Sequence, residues 1–159
     1  NRFSKMRNSI FIFLLLLFAA CNQPSGPSVD ELSSSYQELT DEETGLLHPE
    51  RSRAFIEEAK SFSQASPENN EASEWLFKAG EVAQGIQDNN LALELYQQIL
   101  QEFPDGDRAA DATFMIAFTY DENFNDSEKA REYYDLFLEK YPDDEFADDA
   151  QILLEMLPQ

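Results

Sequence analysis

The stretch Ala92-Leu93-Glu94-Leu95-Tyr96-Gln97-Gln98-Ile99-Leu100-Gln101-Glu102-Phe103-Pro104 returns 38 residues later as Ala130-Arg131-Glu132-Tyr133-Tyr134-Asp135-Leu136-Phe137-Leu138-Glu139-Lys140-Tyr141-Pro142. Ala, Glu, Tyr, Leu and Pro keep their places, and the register continues outward. Upstream, Ala79 falls on Ala117 and Asp88 on Asp126; downstream, Ala109, Asp111 and Ala112 fall on Ala147, Asp149 and Ala150. Similar residues extend the match, Leu76 with Phe114, Ile99 with Phe137 and Phe103 with Tyr141. A fixed period of this size means stacked supersecondary units. Within each unit the apolar residues recur at helical spacing, as in Trp75, Ala79, Val82, Ala83 and Ile86, and again in Ala92, Leu95, Tyr96, Ile99 and Phe103. Asn89 and Asn90 are placed to cap the second helix of a unit. Pro104 and Pro142 end their helices, because proline cannot continue the hydrogen-bond ladder. Asp143 and Asp144 stand where a helix N-terminus favours acids. Helices are expected near residues 50–65, 71–87, 90–103, 108–121, 127–141 and 145–157, which makes the fold class all-α, a short stack of antiparallel helix pairs.

These residues resemble the tetratricopeptide repeat (TPR), whose pattern is a small residue or Gly in the first helix, Ala and then an aromatic in the second, and Pro after it. Leu76, Ala79, Gly80, Ala83, Ala92, Tyr96 and Ile99 take the signature positions of one unit. Phe114, Ala117, Ala130, Tyr134, Phe137 and Pro142 take them in the next, where Phe118 replaces a small residue and Asp121 an aromatic. The resemblance implies a right-handed superhelical solenoid over residues 50–159: a half repeat at 50–70, repeats at 71–104 and 108–142, and a terminal helix at 145–157. It further implies a scaffold that binds proteins and is not an enzyme.

The N-terminal part reads differently. Arg2, Lys5 and Arg7 precede the apolar run Ile10–Ala20, and the chain's one cysteine, Cys21, follows it. Crossing a bilayer takes about 20 apolar residues, and this run has 11. Residues 1–20 therefore read as a signal peptide and not as a permanent span. The sequence around Cys21 resembles the lipobox of bacterial lipoproteins, with Phe18 where Leu is more usual. That resemblance implies a lipid on Cys21 and no other cofactor, with the anchor in the membrane. Asn22 after the cysteine implies an outer-membrane lipoprotein facing the periplasm. Residues 21–49, rich in Pro, Ser, Gly and acids, are expected to be a flexible linker with a short helix around Asp30–Leu39, letting the body stand off from the lipid surface. Lipobox, linker and a unit ending in Phe137–Asp143 together resemble the periplasmic group that includes the barrel-assembly subunit BamD and the Tol-Pal-associated protein YbgF. Protein partners in the cell envelope follow from that resemblance.

Charge sets the chemistry of those partners. The chain has 11 Lys plus Arg against 32 Asp plus Glu, a net charge of −21. Removing residues 1–20 takes away Arg2, Lys5 and Arg7 and leaves −24. Nucleic acid is excluded as a ligand, because neutralising phosphates requires clustered cations. One cysteine and one histidine exclude an internal disulfide and a Cys/His zinc cage. His48, before Pro49, is a helix-start residue with no nucleophile to serve. An acidic concave face favours basic protein partners, and Glu74, Glu81 and Gln84 are expected to meet them from the first helix of the first repeat. The aromatics Trp75, Phe114, Tyr120, Tyr134 and Phe137 fall at helical spacing and read mainly as core.

Two other readings stand beside this one. Asp121, Asn123, Asn125 and Glu132 occupy positions one, three, five and twelve of a calcium-loop template, although Asp126 replaces its turn glycine and Lys129 takes a ligand-side position. An ordinary interhelical loop outweighs that metal site. Self-association through the repeat ends is the other reading, with Ile152, Leu153, Met156 and Leu157 on the last helix either solvating the end or docking it.

Overall fold

A computed structural model of the protein describes residues 26–158, and among these it forms seven α-helices and one isolated β-bridge. The helices are α1 (Val29–Gln37), α2 (Pro49–Ala65), α3 (Glu71–Gly85), α4 (Asn89–Glu102), α5 (Ala109–Glu122), α6 (Ser127–Lys140) and α7 (Ala147–Met156). Each packs chiefly on its neighbours in sequence, α1 on α2 through to α6 on α7. This one-dimensional order is that of a TPR-like helical stack. The expected signal peptide and the lipidation site Cys21 lie outside the described residues.

The period extends into the backbone. Asp88 and Asp126 are both N-caps, and each accepts a hydrogen bond from the backbone N–H three residues on, Leu91 at 3.3 Å and Lys129 at 3.2 Å. The capping role expected of Asn89 and Asn90 belongs to Asp88, since a carboxylate at the cap reaches the orphan N–H groups. Gln87 and Asn125, directly before these caps, both have positive φ, 63° and 52°. Phe103 and Tyr141, before the two prolines, have the same φ of −131° and ψ of 55° and 52°. Each repeat thus stops and restarts its chain by the same local chemistry.

Two apolar clusters form the interior. The first runs from α1 to α5 and holds Leu32, Phe55, Ile56, Trp75, Leu76, Tyr96 and Ile99. The second joins α5, α6 and α7 through Ala117, Ala130, Tyr134, Phe137 and Ala150. Tyr120 and Tyr133, stacked with ring centroids 6.0 Å apart, pack against both. Trp75, Tyr134 and Phe137 are buried as core residues. Phe118, the departure from a small residue, lies parallel to Phe114 at 6.4 Å.

The segment read as a linker is corrected from residue 26 onward. Leu32 is fully buried and Leu39 is 2% exposed. Ser28 and Glu31 close a capping box that starts α1. Leu39 accepts from the His48 N–H at 2.7 Å and Thr40 bridges to Leu47, so the chain returns to α2 in a closed loop. A Cβ on Gly26 would meet Ala65 Cβ at 2.8 Å, which shows how closely the chain lies on the end of α2. Three apolar side chains spaced among serines and acids suffice to dock the segment, because α2 and α3 supply the other side of the contact. The short helix expected around Asp30–Leu39 is present as α1 (Val29–Gln37), and the correction is that it is docked on α2 instead of standing in a flexible linker.

Candidate interaction cleft

α1 and the loop after it form one wall of a cleft, and the second half of α3 forms the other. Tyr36, Leu39, Thr40 and Leu47 face Glu81 and Val82 across an opening of about 420 Å³. The first wall is held by an aromatic column. The Tyr36 ring lies 5.3 Å from Phe55, which lies 6.2 Å from Trp75, so α1, α2 and α3 are fixed to each other by edge and tilted contacts. Leu47 presses on α3 so closely that a Cβ on Gly85 would strike its side chain. Tyr36 remains 37% exposed, which leaves apolar surface at the mouth.

Of the three expected partner contacts, only Glu81 lines this cleft. Its carboxyl is raised above the usual range, chiefly by desolvation, with Arg108 and Lys78 pulling the other way. Glu74 is taken up internally. It binds Arg108 at 2.5 Å and pairs with Lys78, and Arg108 also binds Asp111 at 2.6 Å, so the network ties α3 to the start of α5. The Arg108 guanidinium holds the Glu74 carboxyl below its usual range. The cations are also seated on rings, Arg108 4.9 Å from the centre of Phe77 and Lys78 5.4 Å from that of Trp75.

Gln84 is likewise structural. Its Nε2 donates to Thr119 Oγ1 at 2.9 Å, its Oε1 accepts from the Tyr96 hydroxyl at 3.0 Å, and Thr119 in turn donates to the Met115 carbonyl at 2.6 Å. The side chain expected to reach a partner braces one repeat against the next. Sequence reasoning missed Tyr36 and Leu47 because both stand in the stretch read as linker. The signal available was the pair Leu32 and Leu39, seven residues apart and so on one helical face.

The calcium-loop alternative is corrected by the helix boundaries. Asp121 lies in the last turn of α5, and Glu132 lies inside α6, which begins at Ser127. Template positions seven to twelve therefore run along a helix and cannot wrap round an ion. Asn123 caps α5 and Asn125 takes the positive φ described above. Asp126 caps α6 and pairs with Lys129 at 3.6 Å.

Comparison with known proteins agrees with this geometry. The tetratricopeptide repeat family model matches residues 76–106 and 111–144, which cover most of the pairs α3/α4 and α5/α6. A search of curated proteins returns no match. Over those residues the chain matches tetratricopeptide repeats, and the seven helices among the described residues form an all-α stack of that type.

Proposed function

We propose that this repeat-containing chain is a lipid-anchored scaffold of the bacterial cell envelope, which captures basic protein segments in the cleft between Tyr36, Leu47 and Glu81. Tetratricopeptide repeats serve protein–protein interaction, and the observation that carries the finer reading is the pairing of apolar side chains with the Glu81 carboxyl in that cleft. A Lys or Arg beside an apolar side chain fits both. The field around it has the same sign. Lys60, Lys78, Arg108 and Lys129 are already paired with acids, so most of the 32 carboxylates stand uncompensated and attract cationic segments. The anchor rests on the lipobox resemblance at Cys21, since an acidic body is repelled by anionic headgroups and needs acyl chains to stay at a membrane. Kinship with the barrel-assembly or Tol-Pal-associated lipoproteins rests on that same resemblance.

Cross-linking of the full chain in its native envelope tests the reading, with Cys21→Ser and Glu81→Lys as the two variants. The expected result is a captured envelope protein that Glu81→Lys loses and that Cys21→Ser, released from the membrane, captures less. Capture unchanged by Glu81→Lys would remove the cleft from the proposal. Barrel-assembly components among the captured proteins would support an assembly role, and Tol-Pal or peptidoglycan-linked proteins an envelope-coordination role.

A further inference from the structure

The loop between α1 and α2 is closed by its own hydrogen bonds and leaves one backbone edge free. Thr40 and Leu47 face each other as an antiparallel bridge, between the bonds from the Asp41 N–H to the Leu46 carbonyl at 2.9 Å and from the His48 N–H to the Leu39 carbonyl at 2.7 Å. In a pair placed between two such bonds, each residue's own N–H and C=O point away from the partner strand. The turn beyond the bridge is held from within. Asp41 Oδ1 accepts from the N–H groups of Glu43 and Thr44 and from the Thr44 hydroxyl, and the Gly45 N–H donates to the Asp41 carbonyl at 2.8 Å. Among the described residues the N–H of Thr40 and that of Glu42, two residues on, have no partner, and Thr40 is exposed.

This edge borders the cleft. Thr40 and Leu47, as a bridge pair, carry their side chains on one face, and both line the cleft opposite Glu81 and Val82. A free backbone edge beside apolar side chains and a carboxylate suits an extended chain, which brings its own N–H and C=O groups and turns alternate side chains to one face. Glu38, Asp41, Glu42 and Glu43, all exposed and next to Thr40 along the chain, set the sign of the charge that such a segment must carry. We propose that the occupant of the cleft is a basic segment of a partner protein in extended conformation, added as a strand alongside Thr40. A Lys or Arg turns to Glu81, and an aliphatic residue two positions away turns to Val82 and Leu47. This mode of capture rests on the cleft assigned above and adds to it the conformation and side-chain pattern of the captured segment. A helix satisfies its own backbone and leaves the Thr40 edge unpaired. A second copy pairing through the same edge sets the four acids of the loop against their duplicates.

The test uses the full chain and three labelled synthetic peptides: one with the repeat Lys-Thr-Val-Thr, the same peptide with its central backbone nitrogens methylated, and one with Glu for Lys. Fluorescence anisotropy at physiological salt should show the first binding about tenfold or more tighter than either of the others. Methylation keeps every side chain and charge and removes only backbone donors, so this arm leaves the protein untouched. Thr40→Pro, which deletes an N–H that the fold itself does not use, should bring the first peptide down to the level of the methylated one. Glu81→Lys should abolish its binding. Circular dichroism and the urea midpoint check that both variants fold. The proposal is overturned, with the cleft itself intact, if Glu81→Lys abolishes binding while methylation and Thr40→Pro leave it unchanged. Cleft and edge fall together if Glu81→Lys leaves binding unchanged, or if the Lys peptide binds no tighter than its Glu counterpart. A dimer in sedimentation that Thr40→Pro dissociates would make the edge a contact between copies and overturn the proposal as well.

Discussion

The Tyr96 hydroxyl donates to Gln84 Oε1 at 3.0 Å, whereas Tyr134, its counterpart one period later, has a buried hydroxyl with no hydrogen-bond partner among the described residues. The residue at the Gln84 position of the second repeat is Glu122. Burial raises the pKa of both tyrosines, and at Tyr134 the Asp121 and Glu122 carboxylates add to it. Removing the two hydroxyls should therefore have opposite results. Tyr96→Phe leaves Gln84 Oε1 without its donor and should cost about 1 kcal/mol, whereas Tyr134→Phe deletes an orphaned group and should be neutral or stabilising. Urea unfolding of the two variants checks the sign, and an equal loss in both would contradict the assignment.

Gly80 lies under the Tyr96 ring, where a Cβ would come within 2.7 Å of Tyr96 Cζ. Helix interiors ordinarily gain from Gly→Ala, since glycine has more backbone freedom to lose. Here the ring cannot give way without moving its bond to Gln84. Gly80→Ala should destabilise the fold by about 1–3 kcal/mol, read as a lower urea midpoint with an unchanged m-value.

Leu32→Ala tests whether the N-terminal segment belongs to the body. A leucine in a flexible linker is replaced at no cost. A fully buried one should cost about 2–5 kcal/mol, and limited proteolysis should then cut first within residues 38–48.

The pH dependence of Glu74 has a definite sign. Its folded pKa lies below the ordinary 4.5, chiefly through the hydrogen bond from Arg108. The stabilisation is present above pH 4.5 and is lost as pH falls through the lowered folded value. Wild type should thus exceed Glu74→Gln in melting temperature at neutral pH, with the gap closing in acid. The site is partly exposed and screened, so the gap should also shrink in high salt.

Glu81 has the opposite sign. Desolvation raises its folded pKa above 4.5, so the folded state holds the proton more tightly and stability falls as pH rises through that range. Glu81→Gln should melt higher than wild type at neutral pH, and the difference should vanish below pH 4.5. A stabilising change at a residue expected to serve capture is the signature of a group kept for binding at some expense to folding.

The repeats were legible because their marks are local. Ala, Tyr and Pro at fixed places encode a small contact, a large one and a stop, and each does so whatever surrounds it. Four of the six expected helices agree with the structure to within one residue at each end; the exceptions are α3, which ends at Gly85, and α7, which begins at Ala147 and ends at Met156. The site was legible only in part. Nothing in the type or spacing of Gln84 or Glu74 says that their partners are Thr119 and Arg108, since those pairings exist only once α5 is laid against α3. The spacing of Asp121 through Glu132 suits a metal loop until Asp126 and Ser127 start a helix in the middle of it. Leu32, Leu39 and Leu47 are too few to mark a core by themselves, and they become one against α2 and α3.

The docking of the N-terminal segment also shortens a leash. Only five residue steps separate Cys21 from Gly26, and Gly26 already rests on the end of α2. Fully stretched, such a tether spans about 17 Å. A lipid on Cys21, as proposed, would then hold the α1–α2 end close above the bilayer, with α7 at the far end of the stack. Height above the membrane, set by helix order, would decide which partners reach the Glu81 cleft near the lipid.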